Sequence, residues 1–348
     1  RIMSMFLKLL RTFNPETSHR ISIFSLKYLS GFLEKAYENK ILNTSFGNLT
    51  FDSPIGLAAG YDKNAEVIDP LFKMGFAFIE CGTVTPLAQY GNAKPRIFRL
   101  NEDRAIINRL GFNNCGAKQF LKNFNNRNKN LGIAGINIGP NKDSKNFIDN
   151  YLEIFDIVYE SADYITVNVS SPNTENLRHI QKQEDLSILA KEINSLRESK
   201  EIYKKIVLKV DPDSSAQDYS KIINIAQKNK IDGLVVSNTS ILRPKSLVSN
   251  YKNEEGGLSG APLKEKSNEV LKFIAKETQG ELDLIGVGGI ENAKDVYTKI
   301  KLGASLVQLY SALTLNNLGF INNLKKDLSS YIEKDGFTNI KDAIGIDT

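Results

Sequence analysis

Short apolar runs recur along the chain from residue 55 onward, and each of them ends in glycine or in small polar residues. Stretches in which apolar residues have helical spacing separate most of these runs, for example 185–199, 216–229 and 292–303. Strands that alternate with helices indicate parallel pairing. The eight runs are IGLAAG (55–60), FAFIECGTV (76–84), GIAGINIG (132–139), YITVNVSS (164–171), KIVLKV (205–210), GLVVSNT (233–239), LIGVGGI (284–290) and SLVQLYS (305–311).

Eight units of this kind predict an α/β fold, a closed (β/α)8 TIM barrel. The alternative is an open doubly wound sheet, but no strand-to-helix turn carries the GxGxxG fingerprint of dinucleotide-binding sheets. We expect GNLTFDS (47–53) to form a strand that closes the bottom of the barrel. The longer stretch of about 85–131 is predicted to be an insertion on the face that carries the active site.

The first forty residues form a separate pattern with two amphipathic segments. We predict that one helix ends at Pro15 and that a second is capped by Thr17 or Ser18. Neither segment has the roughly 20 apolar residues of a membrane span. Two interpretations stay open from the pattern alone, a hairpin packed on its own domain and a hairpin lying in a membrane interface. The predicted division is a helical domain of residues 1–40 and a barrel of residues 41–348.

Composition narrows the class of protein. The chain has 348 residues, 41% of them hydrophobic and 24% charged, which is enough for a large buried core. The net charge of +5 is spread along the chain without an arginine-rich block, so we expect no nucleic-acid partner. Two cysteines without a CxxC pair and two histidines favour neither a disulfide framework nor a metal site, and a reducing cytoplasm is the simplest compartment.

The downstream ends of the runs are polar, as in TVNVSSPNT (166–174), where an alternating strand ends in serines and asparagines. Functional residues of a (β/α)8 barrel gather at this end of its strands. One polar strand end is ordinary turn chemistry. Eight that converge on one rim indicate a binding site.

Glycine-rich strand ends suggest where an anion would bind. GVGGI (286–290) and LYS (309–311) end the last two strands, where exposed backbone N–H groups commonly hold a phosphate. We expect GGLSG (256–260) to add a third, flexible glycine turn near the same end. For each cluster taken alone, a tight turn without a ligand is the alternative.

A flavin anchored by its phosphate fits the remaining rim residues. Lys209 is expected to face the barrel centre, where its charge would stabilise the electron-rich edge of a reduced flavin. A lysine that extends out of the barrel mouth is the alternative. Asn137 and Asn168 offer amide donors and acceptors to a heterocycle.

Ten motifs in this order carry a resemblance to a known family: AAGYDKNAE, ECGTVTP, GNAKPRIFRL, IINRLGFNN, GINIG, NVSSPNT, SNTS, GGLSG, IGVGGI and VQLYSA. With them the chain resembles class 2 dihydroorotate dehydrogenases, which are quinone-dependent and membrane-associated. The resemblance runs from FNPETSHR to the tail DGFTNIKDAIGID. It implies an FMN-containing barrel that oxidises dihydroorotate to orotate in pyrimidine (UMP) biosynthesis and passes electrons to a membrane quinone.

The resemblance also implies roles for individual residues. Ser171, just before Pro172, would be the catalytic base that removes a proton from C5 of dihydroorotate. The implied substrate contacts are Lys63, Asn108, Arg109, Leu110, Gly111, Phe112, Asn113, Asn168, Asn173, Asn238 and Thr239. The implied FMN contacts are Ala59, Gly60, Lys63, Thr83, Asn137, Asn168, Lys209, Ser237, Gly260, Gly289, Tyr310 and Ser311. The implied quinone site consists of His19, Arg99 and Tyr310.

Membrane contact through the N-terminal helices also follows from the resemblance, on the cytoplasmic face of the inner membrane if the source is bacterial. Three positions depart from the family pattern. Ser237 replaces a threonine but keeps the hydroxyl, Pro140 replaces a common lysine, and Asp211 follows LKV. Pro140 and Asp211 put the affinity for FMN in question more than the reaction type.

Other interpretations of the barrel make different demands on the sequence. A tRNA-dihydrouridine synthase would need an RNA-binding extension and a cysteine acid on the rim. A dihydropyrimidine dehydrogenase module is a second FMN barrel to weigh. A non-enzymatic membrane-surface module predicts decay of the serine base or of the asparagines, and all of these are present.

Overall fold

The computed structural model describes residues 13–32, 35–174, 177–178, 183–316 and 319–348. The predicted first helix and His179 lie outside the described residues. The strands are β1 (Thr44–Phe46), β2 (Leu49–Phe51), β3 (Ile55–Leu57), β4 (Phe78–Val84), β5 (Ile97–Leu100), β6 (Ala105–Asn108), β7 (Ile133–Ile138), β8 (Tyr164–Asn168), β9 (Lys205–Val210), β10 (Gly233–Val236), β11 (Gly257–Gly260), β12 (Asp283–Val287) and β13 (Leu306–Leu309).

Helix α1 (Pro15–Leu29) precedes the first strand, and the other helices come after strands along the chain. These are α2 (Ile68–Lys73), α3 (Gly116–Phe124), α4 (Phe147–Val158), α5 (Gln183–Glu198), α6 (Ala216–Lys228), α7 (Lys264–Thr278), α8 (Ala293–Lys301), α9 (Ser311–Leu315) and α10 (Phe320–Lys334). Among the helices within the described ranges, none combines the length and the apolar character that crossing a membrane requires.

The predicted (β/α)8 barrel is confirmed. Its eight parallel strands close in the order β3, β4, β7, β8, β9, β10, β12 and β13, with β13 paired to β3. All eight fall inside the apolar runs of the sequence or begin within one residue of them. Because every strand is covered on both faces, these strands are largely apolar, with polar residues such as Glu80, Asn137 and Lys209 buried among them.

The bottom of the barrel is closed by a two-stranded hairpin of β1 and β2, as predicted for residues 47–53. Phe46 and Phe51 are buried against the barrel interior. The ring of Phe51 lies 5.4 Å from that of Phe78, which in turn lies 6.5 Å from Tyr164. This aromatic packing fills the lower half of the barrel with apolar side chains and leaves the upper half for polar ones.

The insertion at 85–131 contributes β5 and β6 to a three-stranded antiparallel sheet above the barrel. Its third strand is β11, so the prediction of a flexible turn for 256–260 is wrong. Gly260 has φ +100°, and a Cβ there would lie 2.3 Å from the carbonyl oxygen of Arg104. The glycines of this segment allow the backbone of a paired strand to come close to its neighbour. A glycine-rich composition alone predicts a turn instead.

Helix α1 begins at Pro15, and Asn14 caps it by accepting the N–H of Glu16 at 3.0 Å. The predicted cap at Thr17 or Ser18 is therefore wrong. Proline is favoured at the first helical position, because its missing N–H would have no partner there. Pro15 is the first residue of α1, and the helix predicted to end at Pro15 lies outside the described residues.

Polar contacts hold α1 against the barrel, together with Leu26, which is buried in the core. Glu16 pairs with the guanidinium of Arg96 at 2.7 Å, and the hydroxyls of Ser22 and Tyr61 are 2.6 Å apart. On the same helix Phe24 and Tyr28 are each 64% exposed, and their rings lie 4.6 Å apart. The helix thus combines a polar attachment with an uncovered aromatic pair.

Candidate active site

A cavity of about 920 Å³ opens at the C-terminal ends of the barrel strands, under the antiparallel sheet. We call it the barrel cavity. It brings together most of the residues singled out from the sequence. Those that line it are Ala59, Gly60, Lys63, Thr83, Asn108, Leu110, Gly111, Phe112, Asn113, Asn168, Ser171, Asn173, Lys209, Ser237, Asn238, Thr239, Gly260, Gly289, Tyr310 and Ser311.

Four predicted residues do not line this cavity. Asn137 lies behind Thr83 and accepts its hydroxyl proton at 2.6 Å. Arg109 pairs with Glu254 at 2.8 Å and stacks over the ring of Phe98. The remaining two, His19 and Arg99, lie on the side of helix α1, where Arg99 donates to the carbonyl of Phe13 at 3.2 Å.

Ser171 lies in the loop after β8, three positions beyond Asn168, and it is 5% exposed. Its Oγ accepts the backbone N–H of Asn173 at 3.3 Å, which bends the loop over the cavity. The bend follows from Pro172, which restricts the residue before it to an extended conformation. The hydroxyl is therefore held at the cavity wall and away from bulk water.

Amide side chains from separate strand ends meet around the cavity. Asn173 donates to Asn108 at 3.1 Å, and Asn238 donates to Asn168 at 3.2 Å. Several buried polar atoms of lining residues have no hydrogen-bond partner among the described residues. These atoms are Asn113 Oδ1, Asn173 Oδ1, Thr239 Oγ1 and Gln308 Oε1. Unpaired buried acceptors are costly, so this wall fits a flat ligand with N–H and O–H groups.

Two lysines supply positive charge to the same space. Burial lowers the pKa of Lys63 to about 8, and its ammonium donates to the carbonyl of Gly60 at 2.5 Å. Burial also lowers the pKa of Lys209, against the charge of Glu80, which raises it. An anionic or electron-rich ligand would restore the favourable environment that burial removes from both groups.

The end of the cavity beside β12 and β13 has the features of an anion site. Gly289 has φ +70°, and a Cβ there would lie 2.3 Å from Cα of Lys264, so only glycine fits. The hydroxyls of Ser311 and Ser259 are 2.8 Å apart at the same end. Backbone N–H groups and hydroxyls without a bulky side chain between them suit a phosphate.

A second cavity of about 1010 Å³ lies between helix α1 and the barrel, and we call it the helix cavity. His19 lines it, with its ring edge-on to Tyr61 at 5.0 Å. Burial and the charge of Lys63 lower the pKa of His19 to about 3, so the imidazole is neutral near pH 7. Lys63, Leu110 and Asn113 line both cavities and form their shared wall.

The three departures from the family pattern have distinct surroundings. Ser237 lines the barrel cavity, and its hydroxyl donates to the carbonyl of Asn238 at 3.1 Å. Asp211 accepts the N–H of Asp213 at 2.7 Å and the hydroxyl of Ser214 at 2.9 Å, so its carboxylate orders its own turn. Pro140 is buried just beyond the end of β7.

Sequence reasoning missed Arg178, which fastens the loop that carries Ser171. Its guanidinium donates to Asp213 at 3.0 Å, to the carbonyl of Thr239 at 3.0 Å and to that of Ser170 at 3.3 Å. Nothing in the periodicity marks it, because its partners lie on other strand ends.

Sequence reasoning also missed Glu80, a fully buried carboxylate in β4. The sequence does carry a signal for Glu80, because a charged residue inside an apolar run such as FAFIECGTV is rare unless it is paired.

Comparisons with known proteins agree with one another. The family model described as dihydroorotate dehydrogenase matches residues 41–332. The chain is 44% identical to dihydroorotate dehydrogenase (quinone) of Parvibaculum lavamentivorans, over 97% of each chain. It is 41% identical to the protein of the same name from Rhodospirillum rubrum, over 96% of this chain and 91% of that one.

Solved structures give the same result at the level of the fold. The crystal structure of dihydroorotate dehydrogenase from Eimeria tenella in complex with ferulenol superposes with a TM-score of 0.91. The two sequences are 36% identical over 96% of this chain and 95% of that one. The ligand-free form from the same organism gives a TM-score of 0.91 at 37% identity, over 96% of this chain and 99% of that one.

Proposed function

This chain belongs to the dihydroorotate dehydrogenase family, and from that premise we propose how its two cavities divide the reaction. The protein is an oxidoreductase that oxidises dihydroorotate to orotate in pyrimidine biosynthesis, with a quinone as electron acceptor. We propose that its flavin is FMN, that the barrel cavity holds FMN beside dihydroorotate, and that the helix cavity admits the quinone. The convergence of Ser171, the rim asparagines and Lys209 on one cavity carries the proposal.

FMN fits the barrel cavity by the chemistry of its walls. The glycine turn at Gly289 and the hydroxyl of Ser311 would hold the phosphate, and Lys209 would lie at the electron-rich edge of the ring. Thr83 and Asn168 would bind polar edges of the ring, with Asn137 acting through Thr83. When bound, the flavin supplies the acceptor for the hydride that leaves C6 of dihydroorotate.

The protein's own part in the chemistry is to hold the substrate and move a proton. We assign to Ser171 the removal of the proton from C5. A serine is a weak base at its free pKa, so it depends on a fixed position and on exclusion of water, and 5% exposure supplies the second. The rim asparagines match the amide-like edges of orotate, and Lys63 would face its carboxylate.

The substrate-binding group extends into the insertion. Asn108, Leu110, Gly111, Phe112 and Asn113 would enclose dihydroorotate from the side of the antiparallel sheet. Asn173, Asn238 and Thr239 would complete the site from the barrel rim. Arg109 belongs to this segment in sequence, and through Glu254 it would hold the segment in place instead of touching the ligand.

The quinone would enter through the helix cavity. His19 and Tyr61 line that cavity, and Tyr310 lines the barrel cavity. Arg99 is near the end of α1 through Phe13. We propose that residues 1–40 form a peripheral membrane domain on the barrel of residues 41–348, with Phe24 and Tyr28 entering the interface. In a bacterial cell this places the protein on the cytoplasmic face of the inner membrane.

One experiment tests the assignment as a whole. The purified protein should show a yellow flavin spectrum that bleaches without oxygen when dihydroorotate is added and returns when a quinone is added. Acid extraction of the flavin followed by chromatography distinguishes FMN from FAD. A flavin that dihydroorotate does not bleach would contradict the proposed use of the barrel cavity.

A further inference from the structure

The carboxylate of Glu80 lies at the centre of the barrel and accepts hydrogen bonds from three other strands. Asn137 Nδ2 donates to Oε1 at 2.7 Å, while Gln308 Nε2 and the hydroxyl of Tyr164 donate to Oε2 at 2.6 and 3.1 Å. In all three contacts the carboxylate oxygen is the acceptor. Each of the three neighbours must therefore turn its donor toward Glu80.

The branch through Asn137 continues to the ligand-facing side chains. With its NH₂ group turned to Glu80, Asn137 turns its oxygen to Thr83 and accepts the hydroxyl proton at 2.6 Å. The Thr83 oxygen then accepts Asn168 Nδ2 at 3.1 Å. Asn168 Oδ1 in turn accepts Asn238 Nδ2 at 3.2 Å. From the carboxylate to Asn168 each hydrogen bond has one direction. The backbone N–H of Thr239, which donates to Asn238 Oδ1 at 2.8 Å, holds Asn238 in the matching orientation.

Direction matters here because an amide side chain has nearly the same shape after a 180° flip. Thr83, Asn168 and Asn238 all line the barrel cavity, whereas Glu80 and Asn137 do not. We propose that Glu80 is a positioning residue that, through Asn137 and Thr83, sets the order of donors and acceptors which Asn168 presents to orotate. The inference rests on the proposed function of the cavity and adds a residue that touches neither substrate nor flavin.

The second branch gives independent support. Gln308 turns its NH₂ group to Glu80, which leaves its Oε1 buried without a partner among the described residues. Gln308 also lines the barrel cavity. The carboxylate of Glu80 thus fixes which end of the Gln308 amide remains for a ligand. Its charge also raises the pKa of Lys209, against the effect of burial.

The test begins with Glu80→Gln, which keeps the shape and removes the fixed acceptor. We expect the dissociation constant of orotate, measured by the change in the flavin spectrum, to rise roughly tenfold, as for a mispaired buried amide. FMN content and Tm should stay near those of the unchanged protein. Tyr164→Phe is the matched control, since it removes a donor to Glu80 outside the chain to Asn168, and it should leave orotate affinity unchanged.

A double substitution separates the effect of hydrogen-bond direction from any effect of packing at position 80. When Glu80→Gln is combined with Gln308→Glu, the carboxylate moves to the facing strand. The amide introduced at position 80 donates its NH₂ group to that carboxylate, so its oxygen is again turned toward Asn137. We expect this exchange to restore most of the orotate affinity. If Glu80→Gln does not fold, Asn137→Leu breaks the same chain without touching the cavity and should show the same loss.

Several outcomes would overturn the inference. These are unchanged orotate affinity in Glu80→Gln or Asn137→Leu, an equal loss in Tyr164→Phe, or an exchange variant that binds no better than Glu80→Gln. Its failure is distinguishable from failure of the proposed function, because the unchanged protein must first be bleached by dihydroorotate.

Discussion

The barrel cavity and the helix cavity share a wall at Lys63, Leu110 and Asn113, yet different parts of the fold hold their side chains. Polar groups of the barrel cavity stand on strand ends that a closed sheet fixes, and hydrogen bonds connect them to one another. On its outer side the helix cavity is bounded by α1, which polar contacts of Glu16 and Ser22 attach to the barrel.

This difference matches the two halves of the reaction. Removal of a proton and a hydride from a small ring needs fixed distances, which a closed barrel provides. A long apolar quinone needs an entrance that faces lipid, and the exposed side chains of Phe24 and Tyr28 line the helix cavity. Changes in the barrel cavity should therefore affect reduction by dihydroorotate, and changes on α1 should affect reoxidation by quinone.

The largest expected effect comes from Ser171→Ala. Without a base, anaerobic reduction by dihydroorotate should slow by about 10²–10⁴-fold, measured by stopped-flow absorbance, while the yellow colour and quinone reoxidation remain. Ser170→Ala is the matched control, since the Ser170 hydroxyl accepts Asn238 Nδ2 at 3.0 Å without lining the cavity, and it should cost far less. Equal rates in Ser171→Ala and the unchanged protein would remove Ser171 as the base.

Sequence reasoning succeeded for the barrel because its information is local. Each buried strand lies in a largely apolar run, and the run alone predicts it. The predictions were wrong for the cap of α1 and for 256–260, where several residues or structures satisfy the same local pattern. Asn14 caps α1 instead of Thr17 or Ser18, and the glycines pair in β11 instead of forming a turn.

The hydrogen-bond chain from Glu80 was out of reach for a different reason. Its partners Asn137 and Gln308 are 57 and 228 residues away in sequence, so only the closed sheet brings them together. Motif resemblance pointed to residues that line the barrel cavity and to Asn137 behind them, and it did not point to Glu80.

The next largest effect is expected for Lys63, which lies in the wall that the two cavities share. Lys63 is cationic below its pKa of about 8 and neutral above it, because burial disfavours the charge. If Lys63 faces the orotate carboxylate, the dissociation constant of orotate should rise above pH 8 by up to about tenfold per unit. Lys63→Arg keeps the charge and should abolish this rise. A flat profile in the unchanged protein would exclude Lys63 as the carboxylate partner.

A smaller effect is expected on the outer face of α1. Replacing both Phe24 and Tyr28 by serine should weaken binding to anionic lipid vesicles by roughly tenfold, since two aromatic side chains no longer enter the interface. Turnover with long-chain quinones should fall with it, while reduction by dihydroorotate stays the same. The matched control is Ile241→Ser with Leu242→Ser, which removes two side chains that are 53% and 54% exposed on a loop of the barrel.

Equal loss of vesicle binding in both double variants would mean that apolar surface in general, and not α1, contacts the membrane. Loss of reduction by dihydroorotate in Phe24→Ser with Tyr28→Ser would contradict the independence of the two cavities.

The smallest effect concerns the attachment of α1 in mild acid. Burial and the charge of Lys63 lower the pKa of His19 from 6.5 to about 3 in the folded protein. The unfolded chain therefore takes up a proton below pH 6.5 that the folded protein does not, and stability falls as the pH falls toward 3. At pH 5 the loss should be about 1–2 kcal/mol, and His19→Gln should remove it. Between pH 7 and about 5 the Glu16 carboxylate stays ionised, because its ion pair with Arg96 outweighs burial and holds its pKa below 4.5. Burial raises the pKa of Asp62 to about 6, so this carboxyl titrates in both proteins, and the difference between their pH profiles reports His19. The free energy of unfolding in urea and the hydrogen exchange of α1 would be measured at each pH for the unchanged protein and for His19→Gln. If the pH profiles of the two proteins are parallel, His19 is not enclosed between the helix and the barrel.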